Sequence, residues 1–154
     1  MIEKTGGDIM GFFKRNTGKK TVKKTGGFKI LAVDDEADVR TLLQDGLEAE
    51  GHTVIPAVDG EDALQKIKDE KPDLVILDIR MPKMDGIQVL QIIKNDPSTR
   101  KLPVIMLTVN ASDEDMFKGC MYGADVYLTK PFKLQDILTG IALAFKRDPR
   151  NTTI

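Results

Sequence analysis

The sequence predicts a doubly wound α/β domain: a parallel sheet with helices on both faces. Two observations carry this. Short apolar runs alternate five times with segments whose apolar residues recur at helical spacing. Three of those runs, the first, third and fourth, are unbroken, as strands covered on both faces must be.

The elements follow in chain order. β1 is the run Lys29–Val33, which ends on Asp34-Asp35. α1 is expected over 36–50, with Val39, Leu42, Leu43 and Leu47 on one stripe and Gly51 just past its end. β2 is Thr53–Ala57, and Pro56, which has no N–H to give a ladder, suits an edge position. α2 runs over Gly60–Glu70 on Ala63, Leu64 and Ile67, closed by Pro72. β3 is 74–77, ending at Asp78, and Asp85-Gly86 turns the chain into α3 at 87–94. Pro97 breaks the loop that follows, and β4, 104–107, ends at Thr108. α4 opens at Ser112, a good N-cap residue. β5 is expected at 125–128, before Thr129-Lys130-Pro131. α5, 134–145, carries Leu134, Ile137, Leu138, Ile141, Ala142 and Phe145 at full helical spacing.

Composition narrows the function. With 154 residues there is one domain's worth of chain, and 23 Lys and Arg against 24 Asp and Glu leave a net charge of −1. That balance speaks against a dedicated nucleic-acid binder, but it hides an asymmetry. Residues 1–27 hold seven basic and two acidic side chains, a net of +5, which leaves −6 for the rest. This arm also holds six of the 13 glycines and reads as flexible. Its one apolar patch, Ile9-Met10-Gly11-Phe12-Phe13 beside Lys14 and Arg15, is the feature able to make a weak contact with a membrane or an acidic partner. The expected organisation is an arm over 1–27, a domain over 28–148 and a short tail over 149–154. The single cysteine, Cys120, excludes a disulfide framework and a cysteine-based zinc site, and suits a reducing cytoplasm. With one histidine, His52, read as a surface turn residue, chemistry must run on carboxylates, hydroxyls and lysine.

In an open parallel sheet, ligands bind beyond the carboxyl ends of the strands. Those positions are Asp34 and Asp35, Asp78, Thr108 and Lys130. Each alone has an ordinary explanation as a cap, a turn residue or a solvated surface group. Together they form an acidic cluster with a hydroxyl and an ammonium beside it. Two carboxylates about 4 Å apart repel by about 4 kcal/mol at an effective dielectric of 20, so one must take up a proton or a cation must join them. All-oxygen ligands on a small site suit Mg²⁺. A metal on one side and Lys130 and Thr108 on the other make a clamp for the oxygens of a transferring phosphoryl group. The nucleophile is then a metal-flanked carboxylate, and Asp78, central in the row, is best placed for it.

Val33-Asp34-Asp35-Glu36, the run Leu77-Asp78-Ile79-Arg80-Met81-Pro82-Lys83-Met84-Asp85-Gly86, Leu107-Thr108 and Leu128-Thr129-Lys130-Pro131-Phe132 resemble the receiver domain of bacterial two-component response regulators. Motif order and spacing agree over most of the chain, and the likeness is to the stand-alone, chemotaxis-regulator type. The resemblance implies a flavodoxin-like (βα)5 sheet with strand order 2-1-3-4-5, an order the pattern alone does not supply. It makes Asp78 the acceptor of a phosphoryl group from a histidine kinase or phosphotransfer protein. It gives Mg²⁺ to Asp34, Asp35, Asp78 and the backbone carbonyl of Ile79, and phosphoryl oxygens to Thr108 and Lys130. Thr108 and Tyr127 take the switch positions, the Lys130-Pro131 bond is expected to be cis, and the α4-β5-α5 surface is the one a downstream protein reads. Such a protein is a phosphoacceptor and not an enzyme, its phosphorylation and dephosphorylation being self-catalysed. Only nine residues follow Phe145, too few for a helix-turn-helix, so no direct DNA binding is expected. Val109 is bulkier than the small residue often found after the threonine, and is expected to hinder the hydrolytic water.

Other readings share the alternation. A nucleotide-binding domain needs glycines after the first strand, where this chain has Asp34-Asp35-Glu36. A Mg²⁺-dependent phosphatase commonly needs a second aspartate two residues past the nucleophile, where this chain has Arg80. A receiver-like interaction module that is never phosphorylated tends to lose the acidic cluster, which is intact here.

Overall fold

The computed structural model describes residues 27–109 and 122–147. The expected start of α4 at Ser112, the basic arm except Gly27, Asn110, Cys120 and the tail lie outside them.

Five parallel strands form one sheet: β1 Lys29–Val33, β2 Thr53–Ala57, β3 Leu74–Asp78, β4 Val104–Thr108 and β5 Val126–Thr129. The spatial order is β2-β1-β3-β4-β5, the 2-1-3-4-5 order expected from the resemblance. β3 and β4 are buried at every position, while β2 and β5 are partly exposed at the edges, which is where Pro56 belongs.

Alternation along the strands splits the core in two. Leu31, Val33, Val75, Leu77, Val104 and Met106 face α2 and α3. Ile30, Ala32, Leu74, Ile76, Ile105 and Leu107 face α1 and α5. The period of two that a strand imposes thus supplies both hydrophobic faces of a doubly wound sheet.

α1 is Ala37–Ala49, one residue shorter at each end than expected, because Glu36 and Glu50 are its caps and not its turns. Gly51 then takes φ of +95°, the left-handed conformation that ends helices. α2 is Gly60–Glu70, with the Asp59 carboxylate accepting from Asp62 N. α3, Gly86–Asn95, starts in a full capping box of Asp85 and Gln88. α5 runs to Arg147, two residues beyond the periodic stripe, and β5 lies one residue later than expected, since Asp125 spends its side chain on Val104 N. No helix among the described residues is long and apolar enough to cross a membrane.

Gly86 has a reason beyond the turn. A Cβ there would sit on the carbonyl oxygen of Asp78 and 2.8 Å from Cα of Ile79. Only glycine lets the start of α3 press against the end of β3. The close approach holds the backbone at the most acidic edge of the sheet.

Candidate functional site

The five expected side chains do converge at the carboxyl edge. Asp34 and Asp35 follow β1, Asp78 ends β3, Thr108 ends β4 and Lys130 follows β5. Asp34, Asp78 and Thr108 are the buried polar residues among those described. Carboxylate oxygens of Asp34, Asp35 and Asp78 lie within 4.8 Å of one another, with Asp35 exposed on the solvent side. Three acids at this separation, one of them open to water, offer a hard all-oxygen donor set that fits a small divalent cation.

Lys130 lies among them. Its Nζ is 2.8 Å from Oδ2 of Asp34, 3.4 Å from Oε1 of Glu36 and 3.5 Å from Oδ1 of Asp78. Its backbone N donates to the Thr108 carbonyl at 2.7 Å, and the Lys130-Pro131 peptide bond is cis. Asp34 is held by three further contacts. Its Oδ1 accepts from Glu36 N, its backbone carbonyl accepts from Arg40 Nη1, and its own N donates to Ala57 O. The first turn after β1 is therefore fixed by the same residue that supplies the buried charge.

The electrostatics record the crowding. The Asp78 carboxyl is raised from 3.8 to about 6, first by burial and next by the charge of Asp34, with Asp35 adding a little. Lys130 and the N–H of Arg80, which donates to Asp78 Oδ1, pull the other way and do not prevail. Burial would lower the Lys130 ammonium, but its hydrogen bond to Asp34 and the charges of Asp34, Asp78 and Glu36 more than reverse this, and its pKa is raised. Three carboxylates thus share one ammonium, and a fourth, Asp35, lies beside two of them. The cluster retains negative charge that a cation would remove.

Two expected participants need separate statements. The Ile79 carbonyl, expected to face a metal, accepts a hydrogen bond from Gly86 N at 2.8 Å. That bond takes one of the oxygen's two lone pairs, and the metal assignment below is argued from the three carboxylates. Tyr127 pairs with Met106 across β4 and β5 and packs half-buried against the core on the α2-α3 side. Val109 is 62% exposed just past Thr108. Two contacts had no sequence signal. The reach of Glu36 to Lys130 spans 94 residues, and the Arg40 bond to the Asp34 carbonyl depends on how α1 leaves the sheet.

Comparison with known proteins agrees with this architecture. The sequence profile of the response regulator receiver domain matches residues 30–142. Protein PilG of Pseudomonas aeruginosa is 40% identical over 119 residues, which cover 77% of this chain and 88% of PilG. The alkaline phosphatase synthesis transcriptional regulatory protein PhoP of Bacillus subtilis is 43% identical over 77% of this chain, but the match spans only 49% of PhoP. Among solved structures, the Vibrio cholerae chemotaxis protein CheY4 superposes with a TM-score of 0.73 at 33% identity, covering 77% of this chain and 98% of that one. The chain belongs to the response regulator receiver domain family of two-component systems.

Proposed function

We propose that this receiver domain takes a phosphoryl group onto Asp78 from a histidine kinase or phosphotransfer protein, in a Mg²⁺-dependent reaction, and relays the change to a protein target. The observation that carries the reading is the crowding of charge at the carboxyl edge: Asp34, Asp35 and Asp78 gathered within 4.8 Å, two of them buried, with Lys130 shared among Asp34, Asp78 and Glu36. No fold needs such a cluster for its own stability, since buried like charges cost free energy.

Asp34, Asp35 and Asp78 would hold the ion, whose charge, when bound, offsets theirs and that of the incoming phosphoryl oxygens. A carboxylate oxygen of Asp78 attacks phosphorus. The O–P bond of an acyl phosphate forms as the N–P bond of the donor phosphohistidine breaks, and the imidazole, already protonated on its other ring nitrogen, leaves neutral. Lys130, now bound to Asp34 and near Asp78, reaches a phosphoryl oxygen, and the Thr108 hydroxyl donates to another. Phosphorylation adds roughly −1.5 to −2 charges at this rim. Thr108 and Tyr127, on neighbouring strands, pass that change to the α4-β5-α5 face for a partner protein to read. The chain is then a phosphoacceptor, not a turnover enzyme, working in the cytoplasm.

The test is incubation with acetyl phosphate and Mg²⁺, read by intact mass. The expected result is one phosphoryl group per chain, absent with chelator and absent in Asp78→Asn. Catalytic turnover of a free phosphoester without a retained label would mean a phosphatase, and no label at all would mean an unphosphorylated module.

A further inference from the structure

A cleft of about 720 Å³ lies along α2 and α3, lined from Glu61 at the start of α2 to Asp73, Lys101 and Leu102 at the amino edge of the sheet. Its apolar lining includes Leu64, Ile67, Ile92 and Leu102, and Ile92 is 45% exposed. The proposed phosphoryl chemistry uses none of these residues.

We propose that this cleft is a docking site for the chain's own aromatic patch, Phe12-Phe13 with Lys14 and Arg15. Three observations select that occupant. The first is where the arm begins. Lys29 N donates to Asp73 Oδ2 at 2.8 Å, Asp73 N donates back to Lys29 O at 2.7 Å, and Asp73 itself lines the cleft. The root of the arm is therefore pinned to the wall of the cleft. The second is length. From Phe13 to Phe28 the chain runs fifteen residues, enough to span up to about 50 Å when extended. A tether of that length holds its end near the cleft at an effective concentration of roughly millimolar order. The third is chemistry. Half-buried Leu64 and exposed Ile92, above nearly buried Ile67 and Leu102, offer a partly apolar floor for two phenyl rings, and Glu61, Asp73 and Asp96 around it suit the cations that follow them. Lysines 68, 71 and 101 line the same cleft, so apolar fit and tether select the occupant more than net charge does.

The docked arm covers the one surface where α2 and α3 leave isoleucine open, and competes with any other protein that would use it. The test uses the full chain and its Phe12→Ser/Phe13→Ser variant, whose changes lie outside the described residues. Methyl NMR should show Leu64, Ile67, Ile92 and Leu102 shifted between the two proteins, by amounts unchanged on tenfold dilution. Trypsin should cut after Lys14 and Arg15 severalfold faster in the variant, and equally fast in Ile92→Asp. Identical cleft methyls would overturn the proposal. So would shifts that vanish on dilution, which would mean a second copy supplies the arm. Phenylalanine-dependent binding to anionic vesicles with unmoved cleft methyls would also overturn it, in favour of a membrane.

Discussion

Asp78 sits in a low-dielectric pocket with a second buried acid beside it, and its carboxyl is held at about 6 for that reason. The consequence for stability has a definite sign. Between 3.8 and about 6 the folded chain binds a proton that the unfolded chain has released, so this group's contribution falls as pH rises through that window. Above it the folded state carries the full cost of the ionised form. Asp78→Asn removes that cost. In chelator at pH 7.5 the variant should be more stable by about 1–3 kcal/mol, and its advantage over the native chain should shrink as pH falls to about 4. Urea unfolding across that range measures it, and an unchanged or less stable variant would contradict the strain assigned to the cluster. Val109, exposed beside Thr108, belongs at the same scale. Trimming it to alanine should let water approach more freely and speed loss of the phosphoryl group by roughly 2–10-fold, about 0.5–1.5 kcal/mol of barrier. An unchanged release rate would clear Val109 of any shielding role.

Two contacts between elements carry predictions of their own. Gly86 is where α3 meets the end of β3, and a methyl group there collides with backbone, which cannot swing aside as a side chain can. Gly86→Ala should cost about 2–4 kcal/mol by thermal unfolding and should slow phosphorylation of the folded fraction, because Asp78 and Ile79 must move. The second contact is at the amino edge. Phe28 stacks on His52 at 5.7 Å and on Phe145 at 4.1 Å, and Phe28 N donates to His52 Nδ1 at 3.1 Å. Burial lowers the His52 pKa below 6.5, and only the neutral ring can accept that bond. The unfolded chain therefore binds more protons just below pH 6.5, and stability should fall as pH drops from 6.5 towards the folded-state value. His52→Phe should flatten that slope while losing about 1 kcal/mol of hydrogen bonding at all pH values, as urea titrations would show. The surface-turn reading of His52 is corrected here, and the reason is general. Residue spacing announced β1, β2 and α1, but nothing local says that Phe28 stacks on both His52 and Phe145.

At the scale of the whole molecule, the legible features were those with a short period or a terminal position. Periods of two and 3.6 located five strands and, among the described residues, four helices, and Pro56 marked an edge. Strand order came with the family likeness, since no periodicity says that β3, not β2, lies beside β1 on its inner side. The site was legible because parallel strands deliver all their carboxyl ends to one rim, so residues 96 positions apart, Asp34 and Lys130, became neighbours by topology alone. The fine contacts of Glu36 and Arg40 were not, because they depend on loop geometry that no pattern encodes. The same topology concentrates negative charge that a lone lysine does not balance, and magnesium is the ion this donor set suits. Calorimetric titration of the intact chain with MgCl₂ near pH 7.5 tests that most directly. The account predicts uptake of one ion per chain, abolished in Asp34→Asn. No uptake by the folded native chain, or uptake undiminished in Asp34→Asn, would contradict it.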